Sequence, residues 1–164
     1  MPRDHGHNLR IGRHSSAGLI YFVTACCHDR AHVFASPANA LILSEELAAR
    51  DAAPMYDSLA YVVMPDHFHW LVRLKSNVPL GCAVRLVKGR SARRVNRQRG
   101  RSGRIWQAGY HDHALRLDED VESAGQYLIH NPVRAGIVSD VDEYPFWDTV
   151  WHRRSGLLQE QLEV

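Results

Sequence analysis

The sequence predicts an α+β protein built around a four-stranded antiparallel sheet. Three observations carry that expectation. Runs rich in β-branched and aromatic residues alternate with helix-period segments in the order β-α-β-β-α-β, and a further helix follows. Two of the apolar runs, 58–64 and 67–74, flank a Pro65-Asp66 turn and read as a hairpin. The length of 164 residues, 45% of them hydrophobic, suits one domain with a sizeable core and leaves little room for two.

Each element has a local reason. "GLIYFVTACC", 18–27, is β-branched and aromatic and reads as the first strand. Residues 36–50 read as a helix capped by Ser36 with Pro37 at its first position, and Leu41, Leu43, Leu47 and Ala48 give it an apolar side. "SLAYVVM" and "HFHWLVRL" are the hairpin strands. Residues 80–99 read as a basic helix with Leu80, Val84, Leu86, Val87 and Val95 as an imperfect apolar stripe, closed by the glycine-broken loop 100–104. A fourth strand is expected near 111–117. Asp118 then caps a helix running to about His130, where Asp118, Glu119 and Asp120 suit its positive end. Asn131-Pro132 makes "PVRAG" a turn or a kinked extension, and Gly136 stops it. This order is the split βαβ arrangement of ferredoxin-like folds, with an added C-terminal helix that carries Tyr127. Residues 1–17 read as a flexible basic arm, 18–138 as the domain, and 139–164 as an aromatic and charged tail.

Composition narrows the class. No apolar run approaches the roughly 18 residues of a membrane span, and the polar N-terminus has no secretory character, so a cytoplasmic protein without membrane contact is expected. Cys26, Cys27 and Cys82 form neither a disulfide framework nor a zinc signature; they read as small side chains, the adjacent pair in the first strand. The net charge of +2 hides an asymmetry, because no acidic residue lies between Asp66 and Asp112. That gap holds Arg85, Lys88, Arg90, Arg93, Arg94, Arg97, Arg99, Arg101 and Arg104. Arginine forks onto phosphate oxygens, so the segment points to nucleic acid; the competing reading is a solvated helix face.

Two groups of residues carry possible chemistry. In "MPDHFHWLV" the period of a strand places His67, His69, Leu71 and Arg73 on one face, opposite Phe68, Trp70, Val72 and Leu74. The histidines are either a bidentate metal site or an exposed pair without a partner. In "YLIHNPVRAGIV", Tyr127 and Asn131 are four residues apart and share a helix face if the helix holds. Tyr127 is either a nucleophile, which requires something to offset the ordinary phenol pKa of about 10, or a core tyrosine. Asn131 is either a third metal ligand or a cap. His111 and His113 form a second pair of the same spacing, with no nucleophile pattern following at a suitable distance.

Together "LRIGRHSSAGLIYFVTACCHDR", "MPDHFHWLV", the basic "LVKGRSARRVNRQRGRSGRIWQAGYHDHALR" and "YLIHNPVRAGIV" resemble the HUH single-tyrosine transposases, in particular the REP-associated tyrosine transposases. The resemblance spans about residues 9 to 147. It implies that His67 and His69 bind a divalent metal, Mg²⁺ or Mn²⁺, with histidine ligation leaning toward Mn²⁺. It makes Tyr127 the nucleophile that forms a 5′-phosphotyrosine, and it puts Asn131 where the wider class carries a glutamine ligand. The implied partner is single-stranded DNA beside a hairpin, gripped through phosphates by Arg85, Lys88, Arg90, Arg93, Arg94, Arg97, Arg101 and Arg104. Trp106 either stacks on an unpaired base or belongs to the core. Members of the class act as monomers or homodimers. Two other functions compete: a hairpin-binding protein of the same fold that does not cleave, and a metal-dependent nuclease in which water replaces Tyr127.

Overall fold

The computed structural model describes residues 18–49, 54–75, 77–116 and 118–151. The predicted basic arm and most of the charged end of the tail lie outside them. The elements are β1 (Ile20–Cys26), α1 (Pro37–Ala48), β2 (Tyr56–Met64), β3 (His67–Leu74), α2 (Leu80–Arg99), β4 (His111–Ala114), α3 (Val121–Ile129), a short α4 (Asn131–Arg134) and β5 (Trp147–Thr149). The five strands form one antiparallel sheet in the order β4-β1-β3-β2-β5.

Both faces of the sheet are covered, and this explains the composition of its middle strands. β2 is buried from Leu59 to Met64, so it reads as a continuous apolar run instead of an alternation. On one face α1 and α2 pack over Val23, Ala25, Val63, Phe68, Trp70 and Val72. On the other, Leu128 and Ile129 of α3 pack with Leu59, Ala60, Val62, Met64, Leu71, Tyr144 and Trp147. A bulge between Ser58 and Ala60 resets the alternation of β2, and so Leu59 and Ala60 both join the second cluster.

Several expected details differ. Ser36 makes no side-chain capping bond; Pro37 and the Ser36 carbonyl, which accepts from Ala40 N at 2.9 Å, start α1. Leu41 points to solvent, 51% exposed, whereas Ala40, Leu43 and Leu47 face the core. The cap of α3 is Asp120, not Asp118: its Oδ1 accepts from Glu122 N at 3.0 Å and from Ser123 N at 3.4 Å. Only a carboxylate immediately before the first turn can reach those amides. β4 is shorter than expected. The segment after Ser139, read as a tail, supplies β5 and the aromatic residues Tyr144 and Trp147 that close the second core. Gly136, at φ 72°, ends α4 as expected.

Candidate active site and nucleic-acid interface

The Pro65-Asp66 turn sets Met64 opposite His67, so the two histidines open β3 on the face shared with Leu71 and with α3. Their rings meet edge to face with centroids 4.8 Å apart. Each has its Nδ1 engaged: His67 Nδ1 lies 2.6 Å from Asp66 Oδ1, and His69 Nδ1 lies 2.8 Å from Thr24 Oγ1. This leaves Nε2 as the remaining nitrogen of each ring. Burial, with the charges of His67, Arg134 and Arg30, pushes the His69 imidazole down to about 3, so it is neutral and keeps a lone pair near pH 7. A neutral imidazole whose other nitrogen is tethered to a polar group is the form that binds metals.

The Asp66 carboxylate has a second partner. Its Oδ2 receives Arg30 Nε at 2.9 Å, and the same guanidinium donates from Nη1 to Cys26 Sγ at 2.7 Å. Burial acts to raise the Asp66 carboxyl, but the hydrogen bond to His67 and the charges of His67, Arg30 and His32 outweigh it and hold it below the ordinary value. Arg30 reaches this position from a tight turn in which Asp29 and Arg30 adopt φ of 54° and 53°. Left-handed backbone at a residue other than glycine costs on the order of 1–3 kcal/mol.

Tyr127 stands on α3, above the same sheet face, and is 62% exposed, which sets aside the core-tyrosine alternative. The Arg134 guanidinium stacks on its ring, 3.8 Å from the centroid, and donates from Nη2 to the Tyr127 carbonyl at 2.6 Å. α4 folds back after His130 to bring Arg134 there. Asn131 Nδ2 donates to the Leu128 carbonyl at 2.8 Å, so the residue caps α3 while its carbonyl oxygen is the acceptor left over. Among the described residues no hydrogen bond or ring contact joins Tyr127 or Asn131 to either histidine. Arg134 links the two regions, because its charge acts on His69 and its guanidinium covers Tyr127. No cluster of three His, Cys, Asp or Glu side chains able to hold a metal occurs among the described residues.

The basic residues divide into two sets. Arg90 Nε lies 3.0 Å from Glu46 Oε2, and Arg94 Nη1 lies 2.9 Å from Glu46 Oε1; Arg94 also pairs with Glu45. Lys88 Nζ donates to the carbonyls of Gln107 and Gly109 at 2.7 and 2.8 Å. These three fasten α2 to α1 and to the loop before β4. Arg85, Arg93, Arg97, Arg101 and Arg104 are exposed and have no ion pair among the described residues. α2 covers the face opposite the histidines, but the loop after it returns to their end of the sheet. His28 N donates to the Ile105 carbonyl at 2.8 Å and Gln107 N to Cys26 O at 2.9 Å, and Cys26 is paired with His67.

Of the two readings for Trp106, the core one holds. It is 6% exposed, stacked on Phe34 and edge-on to Phe68, with Nε1 donating to Ser91 Oγ at 3.2 Å. A base has no access to that ring. His113 Nε2 is engaged by Glu119 at 3.2 Å, while His111 lies across from Thr24 on the edge strand. Sequence reasoning passed over Asp66, Thr24, Arg30 and Arg134. Only Asp66, immediately before His67, carried a signal visible in sequence.

Paired imidazoles and the helix that carries Tyr127 lie on one face of the sheet, and exposed arginines continue from α2 into the loop that returns to the histidine end. Comparison with known proteins names the family. The family model described as "Transposase IS200 like" matches residues 15–131, and the chain belongs to that family. A candidate REP-associated tyrosine transposase of Haemophilus influenzae is 28% identical over 145 residues, 82% of this chain and 81% of the relative. The REP-associated tyrosine transposase of Escherichia coli K12 is 30% identical over 94 residues, 57% of this chain and 53% of the relative. A solved structure of a REP-associated tyrosine transposase bound to a REP hairpin superposes with a TM-score of 0.62 at 21% identity, covering 82% of this chain and 78% of that one. At that identity the likeness concerns the fold. Among the described residues no helix is long and apolar enough to cross a membrane.

Proposed function

We propose that this protein is a metal-dependent strand transferase that cleaves and rejoins single-stranded DNA beside hairpins through a covalent 5′-phosphotyrosine at Tyr127. The observation that carries the reading is the tethering of both Nδ1 atoms, to Asp66 and to Thr24. It leaves the Nε2 atoms as the untethered nitrogens of both rings, at one end of the sheet face over which the Tyr127 helix packs. Support from family comes from the match to IS200-like transposases, and the hairpin partner is carried over from the relative solved with one. The ferredoxin-like reading of the sheet is supported by the order β4-β1-β3-β2 around two helices on one face.

His67 Nε2, His69 Nε2 and the Asn131 carbonyl oxygen would hold Mg²⁺ or Mn²⁺, which when bound supplies charge stabilisation at the scissile phosphate. The chain's own residues do the rest. Tyr127 Oη forms a bond to phosphorus as the bond from phosphorus to the 3′-oxygen breaks. The phenolic proton passes to solvent, and the departing 3′-oxygen takes up a proton to become a hydroxyl. Because the phosphodiester is exchanged and not hydrolysed, a 3′-hydroxyl from another strand can reverse the step and join new DNA. Arg134 steadies the Tyr127 ring by a cation–π contact. The free arginines bind the backbone of the substrate, with Arg104 next to the Ile105 carbonyl that meets His28 N.

The test is incubation with Mn²⁺ and labelled hairpin-bearing single strands, alongside Tyr127→Phe and His67→Ala. An SDS-resistant labelled band in the wild type and in neither variant is the expected result. Strand cleavage that persists in Tyr127→Phe would mean a water nucleophile. Hairpin binding by all three proteins with no adduct and no cleavage on a cleavable site would mean a binding module.

A further inference from the structure

The structure contains a chain of contacts that ends on one of the two histidines and serves no evident purpose in the core. Arg30 Nε meets Asp66 Oδ2 at 2.9 Å, and Asp66 Oδ1 meets His67 Nδ1 at 2.6 Å. The side chains of Asp66 and His67 are 16% and 17% exposed, while that of Arg30 is 55% exposed. An ionised carboxylate only accepts, so at this distance the proton must sit on His67 Nδ1. His69 is held differently, by a neutral hydroxyl.

The backbone around the chain is organised to deliver it. Cys27 N donates to the Asp66 carbonyl at 2.8 Å and Phe34 N to the Pro65 carbonyl at 2.9 Å, so the segment after β1 is bonded directly to the hairpin turn. Within that segment Asp29 and Arg30 occupy left-handed backbone. Aspartate visits that region fairly often, whereas a long side chain such as arginine rarely does. Strain of this kind persists where surrounding structure requires it and gathers at functional sites. Here its effect is to turn the Arg30 side chain back onto the Asp66 carboxylate and Cys26 Sγ.

We propose that Arg30 and Asp66 are positioning residues that lock His67 in its Nδ1–H tautomer, with Nε2 presented as a metal donor. The inference rests on the metal reading given above. It assigns each partner a separate task. Asp66 selects the tautomer, and Arg30 holds the carboxylate in the orientation that reaches Nδ1. Partners of this kind change metal affinity by about 10- to 100-fold in other sites.

The experiment uses full-length protein labelled with ¹⁵N-histidine and freed of metal with a chelator. Long-range ¹H–¹⁵N spectra at pH 8, with His67 assigned from His67→Gln, report the tautomer; Mn²⁺ titration calorimetry reports affinity. The wild type should show His67 as one Nδ1–H tautomer. Asp66→Ala should shift it to the mixture of a free imidazole, leave the His69 pattern in place, and weaken Mn²⁺ by about 10- to 100-fold. Asp66→Asn, which keeps an acceptor oxygen, should retain the tautomer in part, and Arg30→Ala should lie between wild type and Asp66→Ala in affinity. An unchanged His67 tautomer in Asp66→Ala, or a changed tautomer with unchanged Mn²⁺ affinity, overturns the proposal. Absence of Mn²⁺ binding in a wild type whose His67 is locked would instead overturn the metal reading and with it the purpose assigned to the lock. The His69 signals serve as the internal control for folding.

Discussion

Replacing the arginines of α2 and the loop after it one at a time should separate two populations that sequence alone treats as one. Arg85, Arg93, Arg97, Arg101 and Arg104 are exposed without ion pairs among the described residues, whereas Arg90 and Arg94 are engaged with Glu46. Each phosphate neutralised contributes about 0.7 to the slope of log affinity against log salt on single strands and about 0.9 on duplex. Five free arginines acting together would therefore give a slope of magnitude about 3.5–4.5, and Arg97→Ala should reduce it by about 0.7–0.9. Arg94→Ala should leave the slope nearly unchanged and act on stability. The Glu46 carboxylate it pairs with is 6% exposed. Removing a partner from a buried ion costs about 3–5 kcal/mol, but Arg94 itself is 40% exposed and Arg90 remains. We expect about 1–2 kcal/mol after allowing for solvent screening. For a domain of this size that is a fall of roughly 3–6 °C in Tm. Fluorescence anisotropy on a labelled hairpin across a sodium chloride series gives the slope, and calorimetry gives Tm. The partition is refuted if Arg94→Ala lowers the slope as much as Arg97→Ala does while Tm stays constant.

Three further outcomes follow from the packing. Gly125 lies against Trp151, whose Cζ3 would sit 2.8 Å from an added Cβ; Gly125→Ala should cost about 1–3 kcal/mol by chemical denaturation, and an unchanged midpoint would contradict the close approach. Trp106→Ala should cost about 3–5 kcal/mol and, at a temperature where the variant stays folded, leave hairpin affinity intact; a specific loss of binding would restore the base-stacking reading. Burial raises the Cys27 thiol from 9.0 and the Tyr144 hydroxyl from 10.0, each to about 12. Both groups ionise more readily when unfolded, so stability should be complete below about pH 9 and decline toward pH 12. Alkaline denaturation monitored by circular dichroism checks this, and the decline should be shallower in Cys27→Ala.

The elements legible in the sequence were those with strong local signals. β1, the β2–β3 hairpin and α2 followed from apolar runs, a turn dipeptide and a helix stop at Gly100, which sits at φ 61°. Ends were misjudged where several residues could play one role: three acidic residues precede α3, and only Asp120 has the geometry to cap it. β5 is three residues long, with all three buried, too short to show a period and dependent on β2 for its pairing. In the site, His67, His69 and Tyr127 stood out because histidine spacing and a distinctive segment are local. Their supports did not. Thr24 is 45 positions from His69, and the charges that occupy Arg94 are 48 and 49 positions away. A charge census cannot tell a cation committed to a neighbouring helix from one free to meet a phosphate.

In the proposed reaction Tyr127 Oη becomes bonded to DNA phosphorus. Mass spectrometry of the trapped, nuclease-trimmed and trypsin-digested adduct tests it most directly. A phosphonucleotide remnant is expected on the peptide that contains Tyr127, on that side chain, with no such peptide from Tyr127→Phe. A remnant on another tyrosine, or cleaved DNA with no modified peptide at all, would contradict it.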